Sequence, residues 1–232
     1  MRLNRAFVTL LFLVSAGVVV GQNTVPETDF QIWNETTFTL PVVTAKDANG
    51  KSFDRLTLLF ITSLRLGQNR LAPVDERLGG GFDVTLNKHF NFSPTYLYIA
   101  AQPGRGRKEF EHRLRFEVTY NHKFKHFSIK DRNRIEYRVR HSRSDSVRYR
   151  NKFTFSVPVT RDGKELFTPF MSDEPYYDFT AEQWSRNDFS PGIAKRFTKK
   201  LSGEFFYVWR HNRTGRPGDV HALGFNLKVK LK

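Results

Sequence analysis

The chain has 232 residues, 38 Lys and Arg against 23 Asp and Glu, a formal net charge of +15 and 15% aromatic residues. That aromatic content excludes a disordered basic chain, which has too little apolar surface to fold. The lack of Cys excludes disulfides, thiolate metal sites and a lipid-modified N-terminal Cys, and a mean hydropathy of −0.52 excludes a bundle of membrane helices.

Arg2 and Arg5 precede an uncharged stretch, Ala6–Val20. Val19 and Gly21 then put small residues at the third and first positions before Gln22. That order predicts a secretory signal peptide over residues 1–21, with residues 22–232 forming a single domain. An exported chain has no intracellular DNA or RNA to meet, so nucleic acid is not expected as a partner.

Period two governs the rest. Four weak strands are read at Asp29–Leu40, Arg55–Leu66, Arg77–Leu86 and Phe92–Ala101. Phe110–Tyr120 is the clearest segment. Its Phe110, His112, Leu114, Phe116, Val118 and Tyr120 share one face, and Glu111, Arg113, Arg115, Glu117 and Thr119 share the other. Ile129–Val139 carries Lys130, Arg132, Arg134, Glu136 and Arg138 on one side, while Asp131 and Asn133 interrupt the apolar side. Arg148–Val157 sets Arg148, Arg150 and Lys152 against Tyr149, Phe153 and Phe155. Leu166–Glu174, Arg186–Phe197, Leu201–Arg210 and His221–Leu231 complete the series. Gly79-Gly80-Gly81 reads as a bend or a close strand contact.

Alternating segments of about ten residues between turns are the signature of a transmembrane β-barrel. A soluble lipocalin-like barrel or sandwich alternates too, with its charged face turned to water. The polar faces favour the membrane barrel, because their Arg, Lys and Glu rows can neutralise one another in a narrow lumen. Eleven segments are read, whereas bacterial barrels usually have an even number. Twelve strands are therefore expected, the unseen one within residues 22–50, with ten as the second choice. Aromatic pairs such as Phe90 and Phe92, Tyr96 and Tyr98, and Tyr207 and Trp209 suggest interfacial girdles, and short and long connections are expected to alternate.

Asp29-Phe30-Gln31-Ile32-Trp33, Phe110–Glu117, Asp131–Arg138 and Ser185–Phe197 resemble the domain of unknown function 2490 family. The resemblance implies a porin-like outer-membrane β-barrel of Gram-negative bacteria and no established activity. Its surroundings would be outer-membrane lipid and lipopolysaccharide, and the barrel-assembly machinery would insert it.

The candidate site is the lumen. Arg113, Arg115, Arg132, Arg134, Arg138, Arg148, Arg150 and Lys152 are predicted to face it, with Glu111, Glu117 and Glu136 as their acidic partners. Two readings of these rows stay open: a salt-bridged plug that holds a narrow barrel shut, and a lumen whose excess positive charge, in a low-dielectric channel, attracts anionic small solutes. Three functions remain: a channel or binding site for such solutes, an outer-membrane hydrolase acting on lipid or peptide, and a soluble lipocalin-like periplasmic binder. No G-x-S-x-G or H-E-x-x-H occurs, so no catalytic residue is assigned. His122 and His126 fall in a predicted turn, and neither a metal nor a cofactor is expected.

Overall fold

The computed structural model describes residues 27–104 and 106–231; the expected signal peptide and Arg105 lie outside them. The strands are β1 (Thr28–Lys46), β2 (Ser52–Gly67), β3 (Ala72–Thr85), β4 (Phe90–Gly104), β5 (Arg107–Lys123) and β6 (Ser128–Arg140). They continue as β7 (Ser146–Ser156), β8 (Val159–Arg161), β9 (Lys164–Asp178), β10 (Gln183–Arg196), β11 (Leu201–Asn212) and β12 (Asp219–Lys230). Each of the eleven segments read from the sequence corresponds to one long strand.

Sequential neighbours pair antiparallel around a closed ring, apart from β8, which is bonded to β9 alone. Twelve strands are therefore present among the described residues, and eleven of them close the barrel. Closure with an odd number leaves the first and last strands running the same way. β1 and β12 accordingly pair in parallel, from Thr28 beside Asp219 to Thr39 beside Lys230. Among the described residues the additional strand is at Val159–Arg161, and residues 27–50 hold a single strand, β1, of 19 residues.

The faces follow the predicted orientation. Leu114, Phe116, Phe153 and Phe225 point outward at 45%, 49%, 46% and 41% exposure, and Phe155 and Leu227 are half-buried on the same surface. Arg113, Arg115, Arg134, Arg138 and Arg148 are buried on the opposite side. A soluble barrel would reverse this pattern.

At one rim, aromatic contacts run from His89 through His122, Phe124 and Phe127 to Phe155. Tyr177, Phe179 and Trp184 cluster at the other rim. Tyr96 and Tyr98 differ from expectation: they lie within β4, where Tyr96 stacks on His112 and Tyr98 is tilted against it.

The outward Asp131 and Asn133 are internally satisfied. Asn133 and Asn151 Nδ2 donate to the Asp131 carboxylate at 3.0 and 2.6 Å, and Tyr149 OH donates to Asn133 Oδ1 at 2.5 Å. Such pairing removes much of the cost of placing polar atoms on an apolar surface.

Gly79 and Gly81 provide a close strand contact. A Cβ there would come within 2.0 Å of the Tyr96 carbonyl oxygen and 2.2 Å of that of Pro94. Expected long connections are partly strand instead: β3 begins at Ala72, β9 extends to Asp178 and β11 to Asn212. Ladder hydrogen bonds continue where the apolar alternation fades, so sequence periodicity underestimates the strands.

Candidate functional site

β5, β6 and β7 place the charged rows in register. Arg115, Glu136 and Arg148 stand side by side, as do Glu117, Arg134 and Arg150. Arg113 lies opposite Arg138, a pairing of like charges that would repel. Both guanidinium groups turn to Glu111 instead, at 2.6 and 2.7 Å.

The central charges form a closed ring of alternating sign. Glu117 meets Arg134 at 2.5 Å, and Arg134 meets Glu136 at 3.6 Å. Arg150 joins Glu136 at 3.0 Å to Glu174 at 2.8 Å. Arg132 joins Glu174 at 2.6 Å and returns to Glu117 at 3.7 Å. Arg148 at 2.5 Å and Arg113 at 3.9 Å add two further guanidinium groups to Glu136, which is fully buried. A buried carboxylate is costly unless paired, and here four cations surround one anion.

Every lumen residue predicted from the sequence lies on the inner wall. Arg113, Arg132, Arg134, Arg138, Arg148 and Arg150 pair with Glu111, Glu117, Glu136 or Glu174. Arg115 donates to Thr95 Oγ1 at 2.8 Å, and Lys152 lines the narrowest section.

Sequence reasoning missed the opposite wall. β1 contributes a relay in which Trp33 Nε1 donates to Gln31 Oε1 at 2.6 Å, and Gln31 Nε2 donates to Asp29 at 2.7 Å. Asp29 also accepts the backbone N–H groups of Gln68 and Asn69, both left-handed at φ 61° and 50°. The carboxylate thereby holds a turn that non-Gly residues seldom adopt. Arg65 and Arg210 lie 3.8 and 4.5 Å from the Trp33 ring centre, within cation–π range.

Arg210 forks onto Asp188 at 2.7 and 2.6 Å, and Tyr176 OH donates to the same carboxylate at 2.8 Å. Arg150, Arg148 and Arg186 surround the Tyr176 ring at 4.3, 5.0 and 5.4 Å. The period-two signal was available in Glu174 and Tyr176 and in Arg186 and Asp188, but Pro175 and neighbouring polar residues obscured it.

These side chains divide the lumen. A chamber of ≈ 690 Å³ opens toward the start of β1, and one of ≈ 820 Å³ opens at the other end. Between them lies a constriction of ≈ 110 Å³ that shares lining residues with both. Among the described residues, twelve arginines and no lysine line the first chamber against five carboxylates. The second has four arginines and five lysines against five carboxylates.

A closed barrel with an apolar outside and a charged inside is a transmembrane barrel of the outer-membrane type, because only lipid suits that exterior. The family model described as "Protein of unknown function (DUF2490)" matches residues 30–220, and the chain belongs to that family. Its lumen is rich in buried Arg and Glu.

Two solved structures are similar. One is described as the NanC porin, at 10% identity over 82% of this chain and 92% of that one, with a TM-score of 0.44. The other is an anion-selective porin from Comamonas acidovorans, at 12% identity over 80% of this chain and 59% of that one, with a TM-score of 0.37. No curated protein matches the sequence significantly.

Proposed function

We propose that this outer-membrane barrel binds small anionic solutes in its lumen and passes the smallest of them. The observation that carries this reading is a cationic excess continuing through the constriction: Arg77, Arg132, Arg134 and Arg150 are paired with carboxylates, but Arg65, Arg115 and Lys152 have none within 4.0 Å among the described residues. Low-dielectric walls and restricted screening strengthen such a field. A volume of ≈ 110 Å³ suits a partly hydrated inorganic anion. The outer face meets membrane lipid, the basic rims suit lipopolysaccharide phosphates, and the barrel-assembly machinery performs insertion.

Reversal potentials across planar bilayers test the passage. Anion selectivity is expected at low salt and should weaken as salt screens the wall. Arg115→Gln combined with Lys152→Gln should reduce it. Cation selectivity, or a silent barrel that binds no anion, would defeat the reading.

A hydrolase is disfavoured by the histidines. His112, His122, His211 and His221 alternate with inward residues and therefore face outward, while His126 and His141 lie in connections. His89 packs against Tyr120 and His122 at one rim. A lumenal general base of this type is thus missing among the described residues. Residues 1–21 act in this reading as a cleaved export signal. Intact-mass measurement of protein extracted from its native membrane should give a chain starting near Gln22, and a retained Met1 would contradict it.

A further inference from the structure

We infer that the arginine-only chamber binds a compact oxyanion carrying at least two negative charges, held by Arg65 and Arg186. The inference rests on the anion-binding reading above and names the ligand class of one chamber. Guanidinium presents a planar fork that matches carboxylate or phosphate oxygens, whereas ammonium acts as a point charge. The two chambers differ in this respect. One uses Arg alone, while the other relies on Lys for much of its positive charge.

Most lumen guanidinium groups are already occupied by carboxylates. Arg65 and Arg186 have no carboxylate within 4.0 Å among the described residues, and both line the arginine-only chamber. Arg65 Nε is buried without a hydrogen-bond partner, and Arg186 Nε donates only to the neutral Asn212 Oδ1, at 2.6 Å. An orphaned buried donor carries a desolvation cost that a bound oxyanion would relieve.

Arg140 and Arg216 also line the chamber without a carboxylate within 4.0 Å among the described residues. Arg140, however, lies at the rim and donates to the Ser144 carbonyl, and Arg216 is exposed in a connection. Arg65 and Arg186 flank one rigid unit. Arg65 sits on Trp33, which also contacts Arg210; Arg210 grips Asp188; and Asp188 accepts from Tyr176, beside which Arg186 lies. Trp33 is 7% exposed and Tyr176 1%, so the rings position cations and leave little face for a ligand to stack upon. Selection therefore falls on charge and oxygen geometry. The ≈ 690 Å³ chamber admits such an ion, and the constriction beyond it retains anything much larger than a few waters.

Calorimetry on the full barrel in detergent provides the test, with inorganic phosphate as the dianionic probe and acetate as the monovalent control at equal ionic strength. Phosphate should bind more tightly than acetate. Arg65→Gln with Arg186→Gln should weaken phosphate by about tenfold or more, through loss of charge-assisted hydrogen bonds. Lys199→Gln with Lys200→Gln, in the other chamber, should change it by less than about twofold, because the Arg fork is untouched.

If the double Gln variant does not fold, Arg65→Lys with Arg186→Lys decides the matter by keeping charge while losing the fork. It should bind phosphate several-fold more weakly. Phosphate no tighter than acetate, or affinity unchanged in the folded Arg variants, would overturn the inference. A protein failing this test but retaining chloride selectivity in bilayers would leave the anion-passage reading intact. Loss of anion selectivity in the native protein would instead remove that broader reading.

Discussion

Replacing Glu136 with Gln is expected to cost about 3–5 kcal/mol of barrel stability, the usual penalty for breaking a buried ion pair. Its carboxylate lies within 4.0 Å of Arg113, Arg134, Arg148 and Arg150. Arg113 retains Glu111, Arg134 retains Glu117 and Arg150 retains Glu174. Arg148 has no second carboxylate among the described residues, so it carries most of the uncompensated charge. Adding Arg148→Gln should therefore recover part of the loss. Urea unfolding in liposomes measures both effects. A single-variant loss below about 1 kcal/mol would show that the buried charge was already hydrated, with little desolvation left to compensate.

Phe116→Arg is expected to cost about 2–4 kcal/mol if position 116 meets the middle of the bilayer. Phe116 lies near the centre of β5, points outward and is 49% exposed. Phe110→Arg provides a depth control, because Phe110 lies on the same face near the rim of β5. There the cost should fall to about 0–1 kcal/mol, as the Arg head reaches water. Equal costs at the two positions, or a negligible cost at 116, would contradict the lipid-facing assignment. Unfolding of the two variants in the same liposomes gives the comparison.

The sequence is most legible where polarity is cleanly segregated. In β5, Arg113, Arg115 and Glu117 alternate with Leu114, Phe116 and Val118, and the structure places those sets inside and outside. The inner face of β11 includes Phe206, Val208 and Arg210, so polarity alone cannot identify its direction. Glu174 was missed for a related reason: the outward residues of β9 include Asp173 and Pro175 beside Met171 and Tyr177.

Closure supplies the remaining information. The ion-pair ring joins β5, β6, β7 and β9, whereas Trp33 meets Arg65 from β2 and Arg210 from β11. A linear pattern shows that these residues are polar or aromatic, but not which distant strands bring them together. The parallel seam follows from strand number rather than from any local motif. Asp29, Gln31 and Trp33 illustrate the difference: they share a predicted face, but their hydrogen-bond relay becomes visible only in the folded barrel.

Charge-selective cysteine labelling tests the central claim, since the native chain contains no Cys. Thr37 lines the lysine-rich chamber, and Phe116 faces outward. In liposomes, Thr37→Cys should react with water-soluble thiol reagents, faster with an anionic sulfonate than with a cationic ammonium reagent. That preference should shrink at high salt as the basic wall is screened. Phe116→Cys should resist both reagents while reacting with a lipid-soluble maleimide. Ready aqueous labelling at position 116, or faster cationic labelling at position 37, would contradict a lipid-facing apolar wall around an anion-attracting lumen.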